Sequence, residues 1–276
     1  MKFTKMQGAG NDFIVINNIE ERLPLADFGV LARRLCQRRM AIGADGLMVV
    51  EQPDRGGDFK MIFYNADGSL GEMCGNGARC IAKYGYEKGL AGEVINIETT
   101  AGMVKAWRLD QMQYKVRLND VTRLELDLEL EACGKVYACA YVELGDPGIP
   151  HLVVEMKGLR TLTPAQLRTL GSTLRSHPAL PKGANVNFFE IVGTDQIFER
   201  TFERGVEDFT YACGTGTGSI VCVLTERGLC SGRNVKVSMA GGDLFIDIVK
   251  DDAGIKDLYL SGPAVIVAEG EVGELI

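Results

Sequence analysis

A chain of 276 residues with 46% hydrophobic and 24% charged residues has the make-up of a soluble globular protein, long enough for one large domain or two smaller ones. Its net charge of −7 argues against a nucleic-acid partner, whose binding draws on clustered Lys and Arg. No apolar run approaches the roughly 18 residues of a membrane span, and residues 1–17 lack the basic and apolar regions of an export signal, so a cytoplasmic protein without a membrane partner is expected.

Along the chain, residues 28–40 carry Val30, Leu31 and Leu35 at helical spacing, and the arginines there (33, 34, 38 and 39) read as a solvated helix face rather than a site. Strand patterning follows at 60–64. A polar loop then leads to Cys74-Gly-Asn-Gly and an amphipathic helix of about 14 residues, closed by Lys88-Gly89 as a basic last turn and a left-handed C′ residue. Strands are expected at 94–99 and 102–107. Leucines alternate with acids through 118–131, which reads as strand, and a domain boundary is placed near Leu118.

The second half repeats the first. MCGNGARCI (73–81) and ACGTGTGSI (212–220) align without a gap at an offset of 139 residues, the separation of Cys74 from Cys213. At the same offset Glu87-Lys88-Gly89-Leu90 meets Glu226-Arg227-Gly228-Leu229, Ala101-Gly102 meets Ala240-Gly241, and Phe63 meets Phe202. A strand at 196–202, a helix after Cys213, and strands at 234–238 and 243–249 complete the parallel. A final strand at 262–268 has no counterpart after the second half and is expected to return to the first. The fold expected is α/β (α+β): two pseudo-symmetric domains, 1–117 plus 263–276 and 118–262, each a curved mixed sheet or barrel around a central helix.

Eight cysteines in a chain of this size are expected to be reduced thiols, and six of them read as small buried core residues. Cys74 and Cys213 differ because each stands at a helix start, where unpaired N–H groups and the positive dipole end favour a thiolate. Glycines at +1 and +3 let the backbone approach a bound anion. Two such thiols facing one cleft suit the inversion of a stereocentre, which needs a base on one face and an acid on the other. Alternatives are a redox pair, a Cys–His nucleophile using His151 or His177, and a zinc site; against them stand the lack of Cys-x-x-Cys and of finger-like spacing. No metal or other cofactor is expected, since no nucleotide-binding loop is present and no lysine stands out as a pyridoxal phosphate anchor.

The motifs resemble those of the diaminopimelate epimerase family, among pyridoxal-phosphate-independent racemases, nearly end to end: KMQGAGNDF (5–13), GADG (43–46), FYNADGS (63–69), MCGNGAR (73–79), ERG (203–205) and ACGTG (212–216). The resemblance implies epimerisation of LL- to meso-diaminopimelate, a step of lysine and peptidoglycan precursor synthesis, with Cys74 and Cys213 as the thiolate and thiol pair. It implies that Asn11, Asn65 and Asn185 hold the substrate's ends and that Glu203 and Arg204 meet its distal group. It also implies that Gly75, Asn76, Gly214 and Thr215 present amides to the reacting carboxylate. The family's Gly-Asn-Pro-His stretch departs here, with Ile149 beside Pro150-His151 where an Asn would touch substrate. That departure keeps a racemase of lysine, histidine or lanthionine as the alternative within the fold. The partner expected is a small amino-acid substrate, with a homodimer as the assembly to test.

Overall fold

The computed structural model describes residues 1–71, 74–252 and 254–273; Met73, at the start of the first repeated motif, lies outside them. The chain divides into two compact units, one of Met1–Val116 with Gly262–Ile276 and the other of Arg117–Ser261. No helix among the described residues is long and apolar enough to cross a membrane.

In the first unit, β1 (Lys2–Gly8) and β2 (Asn11–Asn17) form an antiparallel pair, followed by a short helix, α1 (Asn18–Glu21), and by α2 (Phe28–Leu35). Strand β3 (Gly46–Glu51) lies parallel to β2, and β4 (Phe59–Asn65) antiparallel to β3. After α3 (Gly75–Glu87), β5 (Val94–Thr99) pairs parallel with β4, and β6 (Gly102–Arg108) and β7 (Gln113–Arg117) continue antiparallel. The C-terminal strand (Val265–Glu271) runs antiparallel to β1. It begins three residues later than the sequence pattern implies.

The apolar run Phe13-Ile-Val-Ile16 is buried throughout, because both faces of β2 are covered. Ile14, Ile16, Leu47 and Val49 pack with Phe28, Leu31, Ala32 and Leu35 of α2, whereas the rings and chains of Phe13 and Met48 lie beside Gly77 of α3. That helix packs against β1, β2, β5, β6 and the C-terminal strand, and every residue from Gly75 to Gly85 is buried. Its buried Lys83 is satisfied from outside the helix, with Nζ donating to the Gln111 carbonyl at 2.6 Å and lying over the Tyr114 ring.

The second unit begins with the hairpin β8 (Val121–Ala132) and β9 (Lys135–Leu144), then β10 (Ile149–Glu155), antiparallel throughout. Helix α4 (Pro164–Arg175) leads to β11 (Asn185–Gly193), parallel to β10, and β12 (Gln196–Glu203), antiparallel to β11. The two-residue β13 (Asp208–Phe209) precedes α5 (Gly214–Glu226), after which β14 (Val235–Met239) pairs parallel with β12, and β15 (Gly242–Asp251) and β16 (Gly254–Pro263) follow antiparallel. Strand for strand this is the order of the first unit: a crossover through an outer helix, an antiparallel return, a central helix, and a second crossover. Gly89 and Gly228, closing the two central helices, have the same φ of 69°. The α+β class and the repeated, curved sheet around a central helix are as the sequence implies.

Several features depart from sequence patterning. α2 ends at Leu35, so Arg38 and Arg39 fall in the following loop. α4 is absent from the elements the sequence pattern implies, although Thr163 and Gln166 form a capping box with Pro164 at the first helical position, a readable start signal. Of the six cysteines read as core, Cys36, Cys80, Cys139 and Cys222 are buried, but Cys133 is exposed in the β8–β9 turn at φ 51° and Cys230 is half-buried.

Candidate active site

Each repeated cysteine is the N-cap of its unit's central helix, in extended conformation: Cys74 at φ −111° and ψ 124° before α3, Cys213 at φ −126° and ψ 101° before α5. The glycine that follows each lets the helix begin at once, and the first-turn amides stay beside the thiol rather than being covered by side chains.

In the first unit, the sulfur of Cys74 lies 3.5 Å from Asn11 Oδ1. The Asn11 amide group is held in that orientation by donating to Asp45 Oδ2 at 2.6 Å, and Asp45 is in turn paired with Arg38 at 2.8 Å. Arg38 also pairs with Asp12 at 2.6 Å, and Lys5 with Asp12 at 2.7 Å. Burial raises the Asp12 carboxyl's pKa, but the Arg38 and Lys5 partners outweigh it and hold the group below its ordinary value. Arg38 is therefore a structural support one residue removed from Asn11, and not part of a solvated helix face.

Asn76 is buried, its Oδ1 accepting from Arg79 Nη2 at 3.0 Å, while Arg79 Nη1 donates to the Gly75 carbonyl at 3.3 Å. Arg79 is fully buried and its Nε finds no partner among the described residues; burial pulls the guanidinium down to about 10, opposed by Cys80 and Cys74. Asn65 is engaged in its own turn, with Nδ2 donating to Ser69 Oγ at 3.0 Å and the backbone N–H to the Ser69 carbonyl at 2.9 Å.

In the second unit, Cys213 is buried and its thiol pKa is pushed well up, first by burial and then by the charges of Glu203 and Glu199. The Gly216 N–H and the Thr215 hydroxyl, 3.6 Å from the sulfur, act in the opposite direction. Asn185 Oδ1 accepts from the Arg204 backbone N–H at 2.8 Å, and Arg204 Nη1 reaches the Lys182 carbonyl at 2.7 Å. Glu203 is half-buried and Arg204 exposed. Ile149, the residue that departs from the family stretch, opens β10 opposite Leu144 and is half-buried.

A cavity of about 280 Å³ in this unit is lined by Glu199, Thr201, Asp208, Tyr211, Cys213 and Met239, among others. Glu199 is a residue the sequence did not single out. It is fully buried, bonded to the hydroxyls of Thr201 and Thr217 at 2.8 Å each, and burial pushes it up to about 7. His151 is also fully buried, pushed down to about 3 by burial and hence neutral; His177 instead accepts the Ala179 N–H in a turn. No group of three or more His, Cys, Asp or Glu among the described residues is placed to hold a metal ion.

The structure thus gathers Asn11, Gly75 and Asn76 with Cys74 in one unit. In the other, Gly214 and Thr215 open the helix that Cys213 caps, while Asn185 opens β11, Glu203 ends β12 and Arg204 follows in the turn.

Comparison with known proteins agrees with this architecture. The profile of the family described as diaminopimelate epimerase matches residues 3–124 and 144–267. The diaminopimelate epimerase of Aquifex aeolicus is 37% identical over 99% of this chain and 98% of its own length, and that of Moorella thermoacetica 36% over 98% and 99%. Among solved structures, a hydroxyproline epimerase from Agrobacterium vitis superposes with a TM-score of 0.69 at 17% identity over 98% of this chain and 91% of its own. A protein of the phenazine biosynthesis PhzF family from Enterococcus faecalis does so at 0.70 and 14%, over 99% of each chain. These distant structures share the fold; the sequence relatives give the family and with it the reaction class. The chain belongs to the diaminopimelate epimerase family and is an isomerase of the epimerase kind.

Proposed function

We propose that this protein interconverts LL- and meso-diaminopimelate, a step supplying lysine and peptidoglycan precursors, with Cys74 and Cys213 as its two proton carriers. The observation that carries the reading is the paired placement of these thiols, each capping the N-terminus of its unit's buried central helix. One thiolate removes the α-proton while the other thiol delivers a proton to the opposite face, so the two exchange roles when the reaction runs backwards. The amides of Gly75, Asn76, Gly214 and Thr215 bind the reacting carboxylate and stabilise the charge that builds there as the α-carbon loses its proton. Asn11, Asn65 and Asn185 fix the substrate's ends, and Glu203 and Arg204 recognise the distal ammonium and carboxylate. No pyridoxal phosphate takes part, because the thiols do the acid–base work themselves; the site is cytoplasmic and meets only the free amino acid.

Incubation with LL-diaminopimelate in D₂O, followed by NMR, is the test. Deuterium at one α-carbon with formation of the meso isomer supports the reading. Deuteration of L-lysine, L-histidine or lanthionine but not diaminopimelate would overturn the substrate, and full turnover by a Cys74→Ala variant would overturn the mechanism.

A further inference from the structure

The two helix starts rest on different foundations. In the first unit Phe13 and Met48 lie beneath Gly77, so the ground under Cys74 is apolar. Phe13 pairs with Gly46 across β2 and β3, as His151 pairs with Asn185 across β10 and β11; Met48 and Asn187 follow two residues on in β3 and β11. The second unit therefore puts His151 and Asn187 where the first puts Phe13 and Met48, and Asn187 lies against Gly216 as Met48 lies against Gly77.

These polar residues begin a buried chain. Asn187 Nδ2 lies 3.3 Å from His151 Nδ1 and donates to the Leu152 carbonyl at 3.1 Å and the Asn185 carbonyl at 3.3 Å, which leaves Oδ1 as its acceptor end. That oxygen is 3.0 Å from Thr201 Oγ1, which is 2.8 Å from Glu199 Oε1. On the other side, Glu199 Oε2 is 2.8 Å from Thr217 Oγ1, which is 2.9 Å from the Cys213 carbonyl. Each threonine carries one hydroxyl proton and faces two oxygens that require one. With a carboxylate only two of the four contacts are hydrogen bonds; a proton on Glu199 makes a third. Among the described residues no cation compensates a charge there: Arg168 pairs with Asp208, Arg200 lies over the Phe198 ring, and Arg204 is bound to the Lys182 carbonyl. Glu203 adds a second negative group toward Cys213, and His151 is neutral. An unpaired carboxylate in such a place is costly, whereas the neutral acid is hydrogen-bonded at both oxygens.

We propose that Glu199 is a positioning residue for Cys213: it holds a proton that completes the buried chain from His151 to the Cys213 carbonyl, and loss of that proton restrains the Cys213 thiol from ionising. This rests on the two-thiol reading above and deepens it by setting the thiols apart. Cys213 sits over a titratable acid, and Cys74 over apolar side chains with a buried arginine one turn along its helix. A single deprotonation then lowers kcat in the direction in which Cys213 removes the α-proton, with that substrate's KM falling in step, and spares kcat in the other direction.

Infrared difference spectra of the full-length wild type against Glu199→Gln, recorded from pH 5 to 9, test the proton directly. A protonated-carboxyl stretch at pH 5 to 6 that fades as pH rises through about 7 is expected; its absence at every pH overturns the proposal. This readout needs no turnover, so a missing band with intact epimerisation defeats the inference alone, whereas a band without epimerisation defeats the functional reading. In kinetics, Glu199→Gln mimics the neutral acid and is expected to match the wild-type kcat within about threefold at pH 6, then to exceed it about tenfold at pH 9 in one direction only, with the KM for that substrate rising in step because the equilibrium constant fixes the ratio of the two kcat/KM values. Equal pH profiles in both directions for wild type and Glu199→Gln would overturn it. Thr217→Val, which cuts the link to the Cys213 carbonyl, is expected to leave the band and abolish the directional difference, and provides the readout should Glu199→Gln fold poorly; a directional difference that survives in Thr217→Val overturns the proposal.

Discussion

Asn11 turns its carbonyl oxygen to the Cys74 sulfur at 3.5 Å because its amide nitrogen is anchored 2.6 Å from Asp45. That anchor fixes which end of the amide faces the thiol. Asp45→Ala is expected to lower kcat by roughly tenfold to a hundredfold, the cost of a misplaced reacting group, with an unchanged far-UV circular dichroism spectrum. A variant of wild-type kcat would show that Asn11 is oriented by other contacts.

Removing either proton carrier stops inversion in a way that distinguishes the two. Cys74→Ala and Cys213→Ala are each expected to lose about a thousandfold or more in epimerisation. Each retains slow α-proton exchange with one stereoisomer only, because one base still faces one side of the α-carbon. Deuterium incorporation from D₂O into LL- and meso-substrate, followed separately, checks this; residual exchange with both isomers by the same variant would contradict it.

Equivalent glycines are expected to respond differently to alanine. A Cβ at Gly77 would meet Met48 Cε at 2.5 Å, the end of a flexible side chain that can swing aside, so Gly77→Ala should cost within about 1 kcal/mol. At Gly216 it would meet Asn187 Oδ1 at 2.1 Å and Cys213 Sγ at 3.2 Å. Asn187 is tied by its contacts to His151, Leu152, Asn185 and Thr201 and cannot yield cheaply, so Gly216→Ala should cost about 3 kcal/mol or more. Urea denaturation of the two variants measures the difference, and equal costs would refute the contrast.

Stability should carry the signature of the buried acid. Glu199 is raised from 4.5 to about 7 by burial, so between those values the folded protein binds a proton that the unfolded chain releases. Its contribution is complete below pH 4.5 and is lost as pH rises through about 7, amounting to about 3 kcal/mol at most. Thermal unfolding of Glu199→Gln should therefore show a smaller fall in Tm from pH 5 to pH 8 than the wild type does. Parallel curves would mean that Glu199 is not protonated in the fold.

Thr163 is expected to matter to α4 alone. It accepts the Gln166 N–H while Gln166 returns a bond to its backbone, and Thr163→Ala should cost about 1 kcal/mol of stability without altering kcat. A loss of activity would link α4 to the chemistry.

Local patterning and internal repetition were enough to locate both cysteines, both central helices and the left-handed glycines that end them, because capping chemistry and helical periodicity are properties of neighbouring residues. Family resemblance supplied Asn11, Asn65, Asn185, Glu203 and Arg204. Hidden from both was the polar chain beneath Cys213. Along β12, Glu199 and Thr201 share a face with Ile197, opposite Phe198 and Arg200, and nothing local distinguishes water from a buried helix as the neighbour of that face.

By itself the sequence determined the two matched helix starts with their thiols. Tertiary structure decided what lies under each: β10 beside β11, β11 beside β12 and α5 across them bring His151, Asn187, Glu199 and Thr217 together out of separate segments. Burial turns those ordinary polar residues into one hydrogen-bonded unit, because once water is excluded each donor and acceptor must be satisfied by another side chain, and a lone carboxyl then keeps its proton.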